Sequence, residues 1–352
     1  MSAALQSARH VRWPVFVLLA IAGLFYVKWH PYYGRAFVAA SQHSIGHSIL
    51  MGDQASAPAP SWSAALGYAL AYGKAIWQAM VLGLLLGSGV QALLPAHWVE
   101  RVLGRYGFGS VLAGGLLAVP GMMCTCCASP VVVGLRAHRA TPGAAVAFWL
   151  GNTMLNPATL IFTGFVLGWS WTGLRLLLSV PMVFGLGYLA NRMSSPGADV
   201  PIPAPPLPSE PLSWGEALKR WARIFVRMTV RLIPEYVVIV LLLGAVRAWM
   251  FPHIGPEIGN QWFWIAALAV AVAGMLFVIP TAGEVPIVQA MLALGLGAGP
   301  AAALMMTLPP VSLPSLVMVG RSFNLRLLLT LAAAVVGFGI LAGALASGLG
   351  LR

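Results

Sequence analysis

Five sulfur-containing side chains lie between residues 122 and 127, in the order Met-Met-Cys-Thr-Cys-Cys. Thiolate and thioether groups favour soft species such as monovalent copper, zinc or trivalent arsenicals. We therefore predict that Met123, Cys124, Cys126 and Cys127 contact a substrate, and the three cysteines are also a candidate metal site. Because cysteine is a small apolar residue, close helix packing is the alternative use of the cluster.

The spacing of these cysteines is interpreted as C-x-C-C and not as a paired C-x-x-C, so it matches no common zinc framework. The chain has three cysteines in total, which leaves no disulfide between distant segments. Neither an ATP-binding loop nor a nucleophile with its base occurs at a recognisable spacing. We expect no cofactor and no enzymatic activity.

One carboxylate falls deep within an apolar stretch. Glu284 lies between two hydrophobic runs, whereas the other acidic residues fall in predicted loops or near the ends of apolar segments. A charge inside a bilayer costs at least about 2.5–3.5 kcal/mol, and such residues usually serve an ion pathway, a proton relay or a substrate. We predict that Glu284 carries a coupled proton. The alternative is a structural carboxylate that caps a helix.

Two asparagines interrupt the apolar stretch that follows the cysteines. Asn152 and Asn156, the latter followed by Pro157, carry amides that are candidate substrate contacts. Their alternative use is hydrogen bonding between helices, which contributes only about 0.6 kcal/mol on average in membranes.

The composition indicates that lipid surrounds the elements that position these residues. The chain has 352 residues, of which 59% are hydrophobic and 8% charged, and its mean hydropathy is +0.86. Long apolar stretches recur, and roughly 20 such residues span a bilayer as a helix. We predict an all-α polytopic membrane protein with about 8–10 hydrophobic segments. The net charge of +12 then indicates contact with anionic lipid and not with nucleic acid.

Proline-rich and basic segments divide the chain into four parts. Residues 1–60 are predicted to form an N-terminal transmembrane anchor and an external segment, and residues 61–193 a first transmembrane repeat with a cysteine-rich hairpin. Residues 194–232 combine a cytoplasmic proline-rich linker with a basic amphipathic helix, and 233–352 form a second repeat.

The two repeats share a plan. Each has a hydrophobic hairpin interrupted by Pro and Gly, with Pro130 in the first matching Pro286 in the second. The arms of the first hairpin are short for a full crossing, so both hairpins are predicted to be re-entrant or broken. Basic residues favour opposite orientations for the two blocks. This pattern predicts inverted repeats with a site near the midplane, while ordinary kinked spans are the alternative.

The segment from Pro120 to Phe162 resembles the hallmark region of permeases of the ArsP/YraQ type, which include organoarsenical efflux permeases. Their pattern is a Cys-x-Cys element before a proline, then a basic turn and a Gly/Ala-rich helix that ends in Asn-Pro. The resemblance implies a multi-pass protein of the bacterial inner membrane that exports small thiophilic compounds.

By position, the resemblance makes Cys124 and Cys126 the motif cysteines. It makes Pro130 the hairpin proline and Asn156, with its following proline, the break in the next helix. The chain departs from the familiar pattern at Cys127 and at the two residues after it, which leaves the substrate identity open.

These observations predict a secondary transporter that exports a trivalent organoarsenical or soft metal and is coupled to protons through Glu284. A permease for a sulfur-containing anion or metabolite, a membrane thiol oxidoreductase and an accessory subunit are the alternatives. The expected partners are the small-molecule or metalloid substrate and membrane lipid, and a homo-oligomer stays open.

Overall fold

A computed structural model of the chain describes residues 3–50, 58–194, 213–251 and 263–351. All regular secondary structure in these ranges is helical, which confirms the all-α prediction. The helices are α1 (Ala3–Leu24), α2 (His30–Gln42), α3 (Trp62–Leu93), α4 (Ala96–Leu103), α5 (Phe108–Ala118), α6 (Thr125–Ala137), α7 (Pro142–Met154), α8 (Pro157–Val166), α9 (Trp169–Met193), α10 (Trp214–Met250), α11 (Phe263–Leu276), α12 (Glu284–Ala293), α13 (Ala298–Thr307), α14 (Leu313–Val319) and α15 (Leu325–Gly348). A π-helical segment, Phe25–Trp29, joins α1 to α2.

Six helical stretches in the described residues are long and apolar enough to cross a bilayer. They are Trp13–Gln42, Trp62–Leu93, Pro142–Val166, Trp169–Met193, Trp214–Met250 and Leu325–Gly348. Many of their large apolar side chains are exposed, including Leu177 in α9 and Leu329 in α15. Exposed apolar residues on long helices are expected where lipid is the solvent. The chain is therefore a multi-pass membrane protein.

Short helices lie between these spans. Helix α4 and the stretch Phe108–Gly121 are bent by 113° relative to each other. Helix α6 has 13 residues and α12 has 10. At about 1.5 Å per residue neither covers the roughly 30 Å of a hydrocarbon core. Short helices in these places agree with broken hairpins, and their depth in the membrane stays a prediction.

The two blocks have the same order of elements. In the first, α5 and α6 form the hairpin, and α7 is followed by a break, α8 and the long α9. In the second, α11 and α12 form the hairpin, and α13 is followed by a break, α14 and the long α15. Helix α7 packs between α5 and α9, as α13 packs between α11 and α15. The opposite orientation of the blocks stays a prediction.

Helix α10 differs from the sequence-based expectation. The basic amphipathic segment and the following span form one helix of 37 residues that begins at a Ser213–Glu216 capping box and continues through Pro234. The predicted boundary between residues 232 and 233 therefore falls inside a helix. The proline-rich linker, at 195–212, lies outside the described residues, and the division of the chain into four parts stays a prediction.

Candidate functional site

The two hairpins meet through tips that are not α-helical, although Val119–Gly121 in the first forms one turn of 3₁₀ helix. The first tip comprises residues 119–124 and the second residues 277–283. Each turns through one non-glycine residue in the left-handed region, with φ of 47° at Met122 and 66° at Ala282. Such conformations are costly and recur at functional sites, where the surrounding structure holds them in place.

Helix α3 stabilises the second tip. Unwound backbone inside a membrane needs hydrogen-bond partners, because lipid offers none. The buried Tyr68 hydroxyl donates to the carbonyl of Val278, and the Tyr72 hydroxyl donates to the carbonyl of Ile279 at 3.4 Å. Both tyrosines lie on one face of α3 and their rings are stacked. Sequence reasoning missed them, although two tyrosines four residues apart in an apolar helix are a visible signal.

The same helix lets α6 approach closely. A Cβ atom at Gly83 would overlap the carbonyl oxygen of Cys127, and one at Gly87 would overlap that of Pro130. Across the contact, a Cβ at Gly134 would overlap the Gly87 carbonyl. Small residues permit this kind of approach between membrane helices. The glycines therefore set how closely the cysteine-bearing start of α6 packs against α3.

Two of the three cysteines form a pair. The Sγ atoms of Cys124 and Cys127 are 2.9 Å apart, both buried, at the first turn of α6. Cys126 lies 3.6 Å from the hydroxyl of Ser312, which precedes α14 in the second block. The contacting pair has C-x-x-C spacing, so the exclusion of a paired C-x-x-C was wrong. The described residues contain no group of three metal-ligating side chains, and the predicted three-thiol metal site is not assembled.

Glu284 is held in a buried ion pair that sequence reasoning missed. Nη2 of Arg175, on α9, donates to Glu284 Oε1 at 2.7 Å and to the Thr153 carbonyl at 3.2 Å. The Arg175 and Glu284 side chains are 0% and 3% exposed. The pair joins the first block to the second hairpin. The available signal was a lone arginine within the apolar run of α9.

A second buried cation approaches from the N-terminal helix. Lys28 lies in the π-helical segment, and its Nζ donates to the hydroxyl of Thr281 at 3.2 Å and to that of Tyr32 at 3.3 Å. The adjacent Trp29 donates to the carbonyl of Pro120 at 2.8 Å. The N-terminal helix thus contacts both tips. Lys28 was also missed, because a lysine at the end of the first apolar run is common where a membrane span ends.

A small cavity lies between the tips. Its lining residues are Cys124, Thr125, Thr153, Thr159, Ile279, Pro280, Thr281, Ala282, Glu284, Leu308 and Pro309. One thiol, one carboxylate and four threonines therefore face a single space. Of the predicted substrate contacts only Cys124 lines it, together with the predicted proton carrier Glu284. This arrangement offers a small solute a thiol and hydroxyl groups beside a carboxylate.

The other predicted contacts hold structure around the cavity. Asn152 Oδ1 accepts from the backbone N–H of Met123 at 3.4 Å, and its amide donates to the Phe148 carbonyl at 2.8 Å. The Asn156 side chain caps α8 by accepting from two backbone N–H groups. Met123 packs in the main hydrophobic core. These residues support the first tip and the break before α8 without lining the cavity.

Comparisons with known proteins agree with this architecture. A predicted permease family matches residues 75–348. The chain is 46% identical to UPF0718 protein YraQ of Escherichia coli (strain K12), with 97% of each protein covered. It is 23% identical to UPF0718 protein MJ0584 of Methanocaldococcus jannaschii, with 76% of this chain and 90% of the relative covered. No solved structure matches the chain. The chain belongs to this predicted permease family and is a membrane transporter by class.

Proposed function

We propose that this transporter exports a small trivalent organoarsenical, bound between the two hairpin tips by Cys124 and Cys127. The observation that carries the proposal is the contact between two thiols, 2.9 Å apart, beside the cavity. Soft thiolates bind thiophilic elements in preference to hard cations. The resemblance of the first block to organoarsenical efflux permeases supports the outward direction and a bacterial inner-membrane location.

The number of converging thiols bears on the substrate class. A monosubstituted trivalent arsenical carries one carbon–arsenic bond and two exchangeable oxygen ligands, so two thiols saturate it. Inorganic arsenite and antimonite bind best to three thiols, and the third thiol here, that of Cys126, contacts Ser312 in the other block. Two converging thiols therefore favour an organoarsenical over inorganic arsenite and antimonite.

Glu284 is the proposed site of proton coupling. Its carboxylate lines the cavity and is paired with Arg175. Protonation of Glu284 removes one charge of the pair, and a lone buried guanidinium then has a strong drive to find water. Because the pair joins α9 of the first block to the hairpin of the second, its opening favours separation of the blocks. Alternating access by relative movement of repeats is the usual transporter mechanism.

Resistance and accumulation measurements test the substrate. An arsenical-sensitive bacterial host expresses the wild type, Cys124→Ser, Cys127→Ser or, as the matched control, Cys126→Ser. We expect the wild type and the control to confer resistance to methylarsenite and to lower its intracellular level, and the other two variants to fail. Equal resistance for all four proteins at equal membrane abundance would exclude a role for the thiol pair.

Reconstituted protein tests the coupling. In proteoliposomes we expect the wild type to concentrate the solute when a pH gradient is imposed. Glu284→Gln is expected to keep exchange of labelled for unlabelled solute but to lose gradient-driven accumulation, because no proton accompanies the cycle. Accumulation by Glu284→Gln at the wild-type level would assign the coupling to another group.

A further inference from the structure

Among the described residues, Lys28 is a buried cation without a carboxylate partner, because the carboxylate of Glu284 is paired with Arg175. Its side chain is 4% exposed, and two hydroxyls accept its hydrogen bonds. Within the described part of the chain, no carboxylate lies within 4.0 Å of its ammonium group. Charged residues inside a membrane are normally paired and normally functional. The π-helical form of Phe25–Trp29 agrees with this, since such segments recur at functional sites.

The thiol pair is the acidic partner within reach. Lys28 donates to the Thr281 hydroxyl at 3.2 Å, and Thr281 lines the same cavity as Cys124. The ammonium group therefore lies one side chain away from the thiol pair. Tyr72, Tyr236 and Cys126 are titratable groups near the pair, and Glu284 lines the same cavity as Cys124. Among all of these only Lys28 carries a positive charge at neutral pH.

The position of the pair on its helix adds to the effect. Cys124 is the N-cap of α6 and has extended backbone, and Cys127 follows in the first turn. The N-terminus of a helix carries partial positive charge, and a nearby lysine acts in the same sense on a thiol. The thiolate, and not the thiol, is the nucleophile and the ligand for soft elements.

We propose that Lys28 is the counter-charge of the Cys124–Cys127 pair and holds one of the two as a thiolate, which makes the N-terminal helix part of the solute site. Lys28 lies outside the range, 75–348, over which the permease family matches. The proposal rests on the role suggested above for the thiol pair, and it adds a positioning residue to that site.

With one thiolate and one thiol, the binding of the arsenical conserves atoms and charge. The thiolate attacks arsenic and displaces one hydroxide, and the neighbouring thiol displaces the second oxygen ligand, which leaves as water with the thiol proton. The products are a dithiolate arsenical, one water and one hydroxide. Loading consumes the negative charge that faced Lys28, so the loaded site favours release of the contact between Lys28 and Thr281.

Thiol reactivity tests the proposal without any transport measurement. The full chain with Cys126→Ser, purified in detergent, reacts with iodoacetamide, and mass spectrometry follows alkylation of the remaining pair. At pH 7 we expect Lys28→Met to slow alkylation by roughly tenfold, in line with the effect of a nearby lysine on a thiol. Lys28→Arg is expected to restore the rate. Lys74→Met, the same change at an exposed lysine of α3, is the matched control.

The pH profile separates an electrostatic role from a structural one. Above about pH 9 ordinary thiols ionise without help, so the rates of the Lys28→Met variant and its parent should converge. Equal rates at pH 7 would overturn the proposal. So would a rate for Lys28→Met that stays low at every pH, because it would indicate a distorted site. If cells instead showed no cysteine-dependent arsenical resistance while the alkylation rates differed as expected, the proposed function would fail and this inference would stand.

Discussion

Removing the guanidinium group of Arg175 leaves the buried carboxylate of Glu284 without a counter-charge. The two groups are 2.7 Å apart, and their side chains are 0% and 3% exposed. Breaking a buried ion pair by deleting one partner typically costs about 3–5 kcal/mol, whereas replacing both partners by uncharged groups of similar shape is often close to neutral. We therefore expect Arg175→Met to lower the free energy of unfolding by about 3–5 kcal/mol. Arg175→Met/Glu284→Gln should recover most of that loss.

Unfolding of the purified chain in mixed micelles with increasing SDS, followed by circular dichroism, measures both variants. The coupling energy from the double-mutant cycle should exceed about 2 kcal/mol. Arg192→Met is the matched control, because Arg192 lies in the same helix with an exposed hydrogen bond to Tyr188, and exposed interactions contribute about 0–1 kcal/mol. If the double variant were as unstable as the single one, the loss would come from packing, and the ion-pair argument would be refuted.

Three further predictions concern the elements around the cavity. Gly83→Ala forces a methyl group against α6 and should destabilise the protein by about 1–3 kcal/mol. Gly73→Ala, on the same helix but with open space around it, should not destabilise the protein. Thermal melting in detergent compares the two variants. Asn156→Ala removes the cap of α8 and should cost about 0.5–2 kcal/mol in the same assay. Tyr68→Phe leaves a carbonyl of the second tip unpaired and should cost about 1–3 kcal/mol, with faster hydrogen exchange at the start of α12 as its local signature.

The long helices follow directly from hydrophobic length. Long apolar stretches predicted membrane-spanning helices, and the structure has helical stretches such as Pro142–Val166 and Trp169–Met193. A segment of about twenty apolar residues forms a helix in the bilayer, because lipid offers no hydrogen bonds and the backbone groups must bond within the segment. The break before Pro157 was predictable for a related reason, since proline disfavours helical backbone in the residue before it.

The partners inside the site could not be predicted in this way. Arg175 and Glu284 are separated by 109 positions in the sequence, and their contact depends on how α9 packs against the second hairpin. Lys28 reaches Thr281 across an even longer separation, 253 positions. Isolated cations in apolar runs were visible, but hydrophobic patterns do not say which acid or thiol they meet.

The contact between Cys124 and Cys127 could have been predicted from their spacing in the sequence. Residues three apart on a helix share a face, so placing the start of α6 at Thr125 puts Cys124 and Cys127 together. Cys126, one residue before Cys127, then points elsewhere, toward Ser312. Treating the three cysteines as one cluster hid this difference, because a cluster in sequence is not a cluster in space once the backbone is helical.

Direct binding to the purified protein tests the central claim, that two thiols at the first hairpin tip form the solute site. Intact-mass spectrometry of the full chain after incubation with methylarsenite counts the bound arsenicals. We expect one per chain in the wild type and in Cys126→Ser, and none in Cys124→Ser or Cys127→Ser. Loss of binding in Cys126→Ser with retention in the other two variants would contradict it, as would a wild-type protein that binds no arsenical.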